Sequence, residues 1–139
     1  AARRRTEAHL KVLRGLVRLG QERSRQGRGE DLRALDGWFH ETLAQAAGSP
    51  SLTAMLTQLR RKIAWMYLVD APTGAVEQWA EHGAIVDAVA RGDGDRARAL
   101  MALHVERSAA AHRLRFTSGD RPGAVRNAQR PVNMPSLRH

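Results

Sequence analysis

Residues 81–104 read EHGAIVDAVARGDGDRARALMALH, and this stretch decides the fold because it holds two helical segments and the turn between them. Apolar residues before the turn recur at helical spacing, as Ile85 and Val89 do. The turn itself is RGDGD, in which Asp93 is a good N-cap for the second segment. We therefore predict two antiparallel helices that form a hairpin.

Two histidines of this hairpin, His82 and His104, lie among apolar residues. His82 lies ten residues before Gly92, and His104 lies eleven residues after Asp93. Because an α-helix rises by about 1.5 Å per residue, both histidines are roughly 15 Å from the turn. We therefore expect the two imidazoles to face each other at the same level of the hairpin.

Helical periodicity extends over most of the chain, and no segment shows the period-two alternation that predicts a strand. The helical segments cover residues 6–25, 30–47, 51–69, 75–91 and 93–117. The aromatic side chains expected in the core are Trp38, Phe39, Trp65 and Trp79. The predicted fold class is all-α, an antiparallel helical bundle of about five to six helices.

The composition of the chain predicts one helical domain followed by a tail. Its 139 residues are enough for a single core, which we assign to residues 1–117. Residues 118–139 are rich in Pro and Arg, and we expect a disordered tail there.

The absence of Cys excludes disulfides and thiolate metal sites. No apolar run approaches the roughly 18 residues of a membrane span, so we expect a cytoplasmic protein.

The net charge is strongly positive, with 23 Lys and Arg against 14 Asp and Glu. Such a charge favours anionic partners, either nucleic acid or small anions. The arginines are spread evenly, however, and no basic run is interleaved with aromatic residues. A solvated basic surface explains the same composition, so the charge alone identifies no partner.

A second pair of polar residues lies in the sequence DGWFH, residues 36–40, within an apolar helical stripe. Asp36 and His40 are four residues apart and share that stripe. A buried carboxylate requires a partner, and His82 and His104 lie in apolar stripes of their own. Together the four side chains offer three nitrogens and one oxygen, which suits a divalent transition metal. The alternative is a hydrogen-bonded polar core without metal.

The sequence DGWFHETLAQAAGSP, residues 36–50, resembles the D-x-x-F-H-x-x-L-x-x-A-x-G-N-P segment of the FCD domain. That domain is the effector-binding domain of one branch of the GntR-family bacterial transcription regulators. Residues 81–104 resemble its second signature, E-H-x-x-I-x-x-A-x-x-x-G-D-x-x-x-A-x-x-x-M-x-x-H. The resemblance covers residues 6–116, and Ser49 stands where Asn is usual.

The resemblance implies a metal-containing sensor. In metal-binding members the ligands are the Asp and His of the first segment and both His of the second, which are Asp36, His40, His82 and His104 here. The metal, with zinc favoured and nickel, manganese or iron also suitable, anchors a small carboxylate metabolite or stabilises the pocket. Occupancy then changes the DNA affinity of a homodimer. We expect that the family's N-terminal winged helix-turn-helix and about half of the first effector-domain helix are missing here, and that this chain is a fragment that does not read DNA itself.

Arg60 is a candidate effector-binding residue. It lies ten residues after Pro50, while Asp36 and His40 precede Gly48 by twelve and eight residues, so the three should share a level. A guanidinium at that level can bind a carboxylate in bidentate fashion. The alternative is a surface arginine whose stem packs on the bundle.

Two other functions fit the same residues. A metal-dependent, hydrolase-like enzyme would use an open coordination position to activate water, with Glu41 or Glu81 as base. Adjacent residues on a helix point about 100° apart, so neither glutamate should face the metal beside His40 or His82. A metal-free helical interaction module is the third possibility. The sequence favours the sensor, which is not an enzyme.

Overall fold

The computed structural model describes residues 1–66 and 74–117. The helices of this part are α1 (Glu7–Arg25), α2 (Gly29–Ala46), α3 (Pro50–Met66), α4 (Ala75–Ala90) and α5 (Gly94–Thr117). These residues contain no strand, so the all-α prediction is confirmed. The predicted tail, residues 118–139, lies outside the described residues. No helix in the described part is both long and apolar enough to cross a membrane.

The ends of the helices follow from local chemistry. Gly48 and Gly92 have φ angles of 68° and 72°, a left-handed conformation that glycine adopts freely just after a helix. They terminate α2 and α4 respectively. The Asp93 carboxylate then accepts a hydrogen bond from the backbone N–H of Arg96 at 3.0 Å, which confirms the predicted cap of α5. The turn between α4 and α5 is therefore short and fixed.

The core lies where α1 packs against both α2 and α4. Trp79 of α4 is buried against the backbone of Gly20 on α1, where an added Cβ would overlap the indole ring. Phe39 of α2 and Leu13 of α1 are also fully buried. On either side of this core, α3 packs on α2 and α5 packs on α4. Imidazole rings from α2, α4 and α5 contact one another beside this core.

The apolar stripe of α3 is not buried in the part of the chain that the structure describes. Leu52, Met55 and Leu59 are 44%, 68% and 52% exposed, although their helical spacing is typical of a core face. Helix α3 instead contacts α2 through Thr57 and Arg60, whose side chains reach Glu41. Its polar face therefore determines how it packs.

The predictions for the aromatic residues are partly confirmed. Phe39 and Trp79 lie in the core, but Trp38 is 54% exposed and its prediction as a core residue was wrong. Residues 38 and 39 are neighbours on α2 and point about 100° apart, so only one of them can face α4. The side chain of Trp65 lies outside the described part.

Candidate metal centre

Three histidines from three helices converge beside the aromatic core. His40 lies on α2, His82 on α4 and His104 on α5, and each offers a ring nitrogen within 4.8 Å of those of the other two. The Nε2 atoms of His82 and His104 are 3.2 Å apart, as the equal distances from the turn predicted. Both of these residues are buried, whereas His40 is partly exposed.

Asp36 completes the set of four predicted side chains. Its Oδ1 atom lies 3.6 Å from Nε2 of His40 and 3.6 Å from Nε2 of His82. The Gln78 side chain donates a hydrogen bond to the same oxygen at 3.1 Å. Because the Asp36 carboxylate remains partly exposed, the cluster can be reached by solvent from the side of α2.

Aromatic packing fixes the orientation of His82. Its ring stacks on Phe39 with a centroid distance of 4.1 Å and an interplanar angle of 14°. Trp79 meets the same ring edge-on at 4.6 Å. The Nδ1 atom of His82 is buried without a hydrogen-bond partner among the described residues. The polar interactions of this imidazole are therefore made by Nε2, which faces the cluster.

The protonation states of the cluster suit a cation. Burial lowers the pKa of His82 to about 3, and the neighbouring His40 and His104 act in the same direction against the attraction of Asp36. Burial opposes ionisation of Asp36, but its close contact with His40 and the two other nearby imidazoles outweigh that effect and lower the pKa of Asp36. At neutral pH the cluster thus includes an uncharged His82 and an ionised Asp36, the forms that bind metals.

Three of the separations between candidate donor atoms also suit a metal ion. Zinc–nitrogen bonds of about 2.0–2.1 Å in a tetrahedral site separate neighbouring donors by roughly 3.4 Å. The separation of 3.2 Å between His82 and His104 and the two separations of 3.6 Å to Asp36 lie close to that value. A set of three imidazoles and one carboxylate suits zinc, nickel, manganese and iron.

Glu81 contacts the cluster from outside. Its Oε2 atom lies 2.8 Å from Nδ1 of His104, and its other carboxylate oxygen pairs with Arg107. Arg107 and His104 outweigh the effect of burial and lower the pKa of Glu81. The sequence predicted correctly that Glu81 does not face the cluster beside His82, but its contact with His104 was missed. The hairpin sets the level of residue 81, but the sequence does not indicate that its side chain faces α5.

Arg60 of α3 packs against α2 beside the cluster. Its guanidinium covers Gly37, where an added Cβ would overlap it, and its Nη1 atom is 2.6 Å from Oε1 of Glu41. Gly37 and Glu41 directly follow the two cluster residues of α2, so Arg60 lies at the level that the sequence predicted. Its ion pair is with Glu41, and its role toward an effector stays a prediction.

An all-α bundle that gathers four polar side chains between three helices defines a small helical domain with a candidate ligand or metal site. The family model of the FCD domain matches residues 1–107, and the chain belongs to this family. FCD is the C-terminal domain of GntR-family regulators, so the chain is a GntR-type effector-binding regulatory domain. No curated protein and no solved structure matches the chain.

Proposed function

We propose that Asp36, His40, His82 and His104 hold a divalent transition-metal ion, with zinc favoured and nickel, manganese or iron as alternatives. One observation carries this proposal, the convergence of three imidazole nitrogens from three helices within 4.8 Å of one another. The ion would supply a fixed positive centre at the partly exposed side of the bundle, where a carboxylate can approach. His82 and Asp36 are in the correct protonation states to bind it.

The proposed function is sensing of a small carboxylate metabolite. Arg60 lies at the level of the cluster and is one-third exposed, so its guanidinium can contribute to binding an anion if it leaves Glu41. The sensor would act in the cytoplasm as part of a homodimeric regulator, whose winged helix-turn-helix domain binds DNA. Glu81 is held by His104 and Arg107, and Glu41 is held by Arg60. Before an effector binds, both candidate bases are therefore paired with other residues, which favours a regulator over an enzyme.

Metal content tests the first part of the proposal. We expect about one zinc or other divalent metal ion per chain in protein purified without an affinity tag or chelator, measured by elemental analysis. The His82→Ala, His104→Ala double variant should retain little metal, because it loses two of four ligands. His9→Ala, which removes a histidine outside the cluster, is the matched control and should retain the full amount. Little metal in the parent protein, even after incubation with divalent salts, would contradict the metal site and favour the alternative of a metal-free helical interaction module.

The effector site is tested by titrating acetate, succinate and citrate into the zinc-loaded protein in a calorimeter. Arg60→Gln should weaken binding of the best of these carboxylates by roughly 10-fold or more, the value of one hydrogen-bonded charge. Arg61→Gln is the matched control, because Arg61 is the next residue on α3 and is exposed. Equal affinities in both variants would remove Arg60 from the site, and no binding by the parent would contradict carboxylate sensing.

A further inference from the structure

The side of the His104 ring that faces away from His82 contacts Glu81, which is itself paired with Arg107. The Nδ1 atom of His104 lies 2.8 Å from Oε2 of Glu81. The second oxygen of that carboxylate is paired with Arg107, one turn further along α5. His104 is 3% exposed and the Glu81 side chain is 21% exposed, so this contact is largely shielded from water.

The contact determines which nitrogen of His104 carries a proton. An ionised carboxylate only accepts hydrogen bonds, and a neutral imidazole has one N–H. In the neutral form of His104, which is the form that binds a metal, the proton is therefore on Nδ1, which donates to Glu81. The Nε2 atom keeps its lone pair and lies 3.2 Å from Nε2 of His82. Without metal, His82 must then be the donor in that pair, so the two imidazoles have opposite tautomers.

We propose that Glu81 is a positioning residue of the metal site, which holds His104 in the Nδ1–H tautomer so that Nε2 is free to bind the ion. The proposal rests on the proposed metal function. Arg107 fixes the carboxylate in turn by binding its second oxygen. Carboxylates that accept the outer N–H of a ligating histidine orient the ring and raise its basicity.

Of the two buried histidines, only His104 has a carboxylate against its Nδ1 atom among the described residues. The Nδ1 atom of His82 has no partner among the described residues, and its ring is oriented by Phe39 and Trp79. Loss of the Glu81 carboxylate should therefore disturb one of the two buried ligands and leave the other in place. Glu81 is thus expected to tune metal affinity without being a ligand.

The first readout needs no metal. Heteronuclear NMR of the ring nitrogens in metal-free protein should show an Nδ1–H tautomer for His104 and an Nε2–H tautomer for His82. Glu81→Ala should convert His104 to a mixture of tautomers, because its acceptor is gone. Glu81→Gln retains the size of the side chain and a carbonyl acceptor, so it should preserve most of the Nδ1–H form. This variant distinguishes loss of the acceptor from a general disturbance of the fold. An Nε2–H tautomer for His104 in the parent, or no change in Glu81→Ala, would overturn the proposal.

The second readout is zinc affinity, measured by competition with a chromophoric chelator. Glu81→Ala should bind zinc about 10–100-fold more weakly than the parent, and Glu81→Gln should lie between them. Glu77→Ala is the matched control, since it removes the same charge from an exposed position on α4 and should leave the affinity unchanged. Equal affinity in Glu81→Ala and the parent overturns the proposal. A parent that binds no zinc refutes the metal function, and the tautomers then still decide whether Glu81 positions His104.

Discussion

Replacing Phe39 with alanine should lower the free energy of unfolding of the metal-free protein by about 3–5 kcal/mol. The ring is fully buried, stacks on His82 at 4.1 Å and meets Trp79 at a centroid distance of 6.1 Å. Its removal leaves a cavity between α2 and α4 that neighbouring rings cannot fill without leaving their own contacts. Urea unfolding followed by circular dichroism gives the free energy.

Trp38→Ala is the matched control for this substitution. Trp38 is the preceding residue on the same helix and is 54% exposed, so its loss should cost roughly 1 kcal/mol or less. Similar losses in the two variants would show that Phe39 does not pack as described. Because Phe39 also stacks on His82, Phe39→Ala should also loosen a proposed metal ligand. We therefore expect stability and metal binding to be coupled through this ring.

The α4–α5 hairpin could be predicted from the sequence because it depends on local rules. A short turn with a capping aspartate joins two helices of constant rise, so counting residues from the turn sets the level of each side chain. The 3.2 Å separation between His82 and His104 confirms that reasoning. Asp36 and His40 were predicted to share a face from their spacing alone, and both lie at the cluster.

The packing of α3 could not be predicted in the same way. Periodicity identifies an apolar face on a helix but does not say which neighbour that face meets. Leu52, Met55 and Leu59 are exposed because Arg60 and Thr57 hold the other face against α2. That contact depends on the missing Cβ of a glycine on α2, which leaves room for a guanidinium. Such complementarity arises between two helices and is not visible in either one.

The contact between Glu81 and His104 could be predicted only in part from the sequence. The level of both residues follows from the hairpin, yet the choice of partner for a carboxylate depends on tertiary geometry. Arg107 lies one turn beyond His104 and provides the second charge that holds Glu81 in place. The level of the candidate ligands could therefore be predicted from the sequence, whereas the contacts of Glu81 with His104 and Arg107 required the structure.

Zinc should stabilise the folded protein strongly, by about 4 kcal/mol when free zinc is about a thousand times its Kd. The stabilisation is expected because the proposed ligands His40, His82 and His104 lie on three different helices, α2, α4 and α5. One ion would connect three helices that the unfolded chain does not hold together. Urea unfolding in buffered free zinc, with reversal by a chelator, measures the gain.

The double variant His82→Ala, His104→Ala separates this site from adventitious binding. It loses two of the proposed ligands, so zinc should leave its free energy of unfolding unchanged while the parent is stabilised. An equal gain in both proteins would place the ion elsewhere on the chain and contradict the cluster as the metal centre. A gain confined to the parent would also explain how a half-buried Asp36 is retained beside an aromatic core. The carboxylate would then be satisfied by the ion as well as by its hydrogen bond from Gln78.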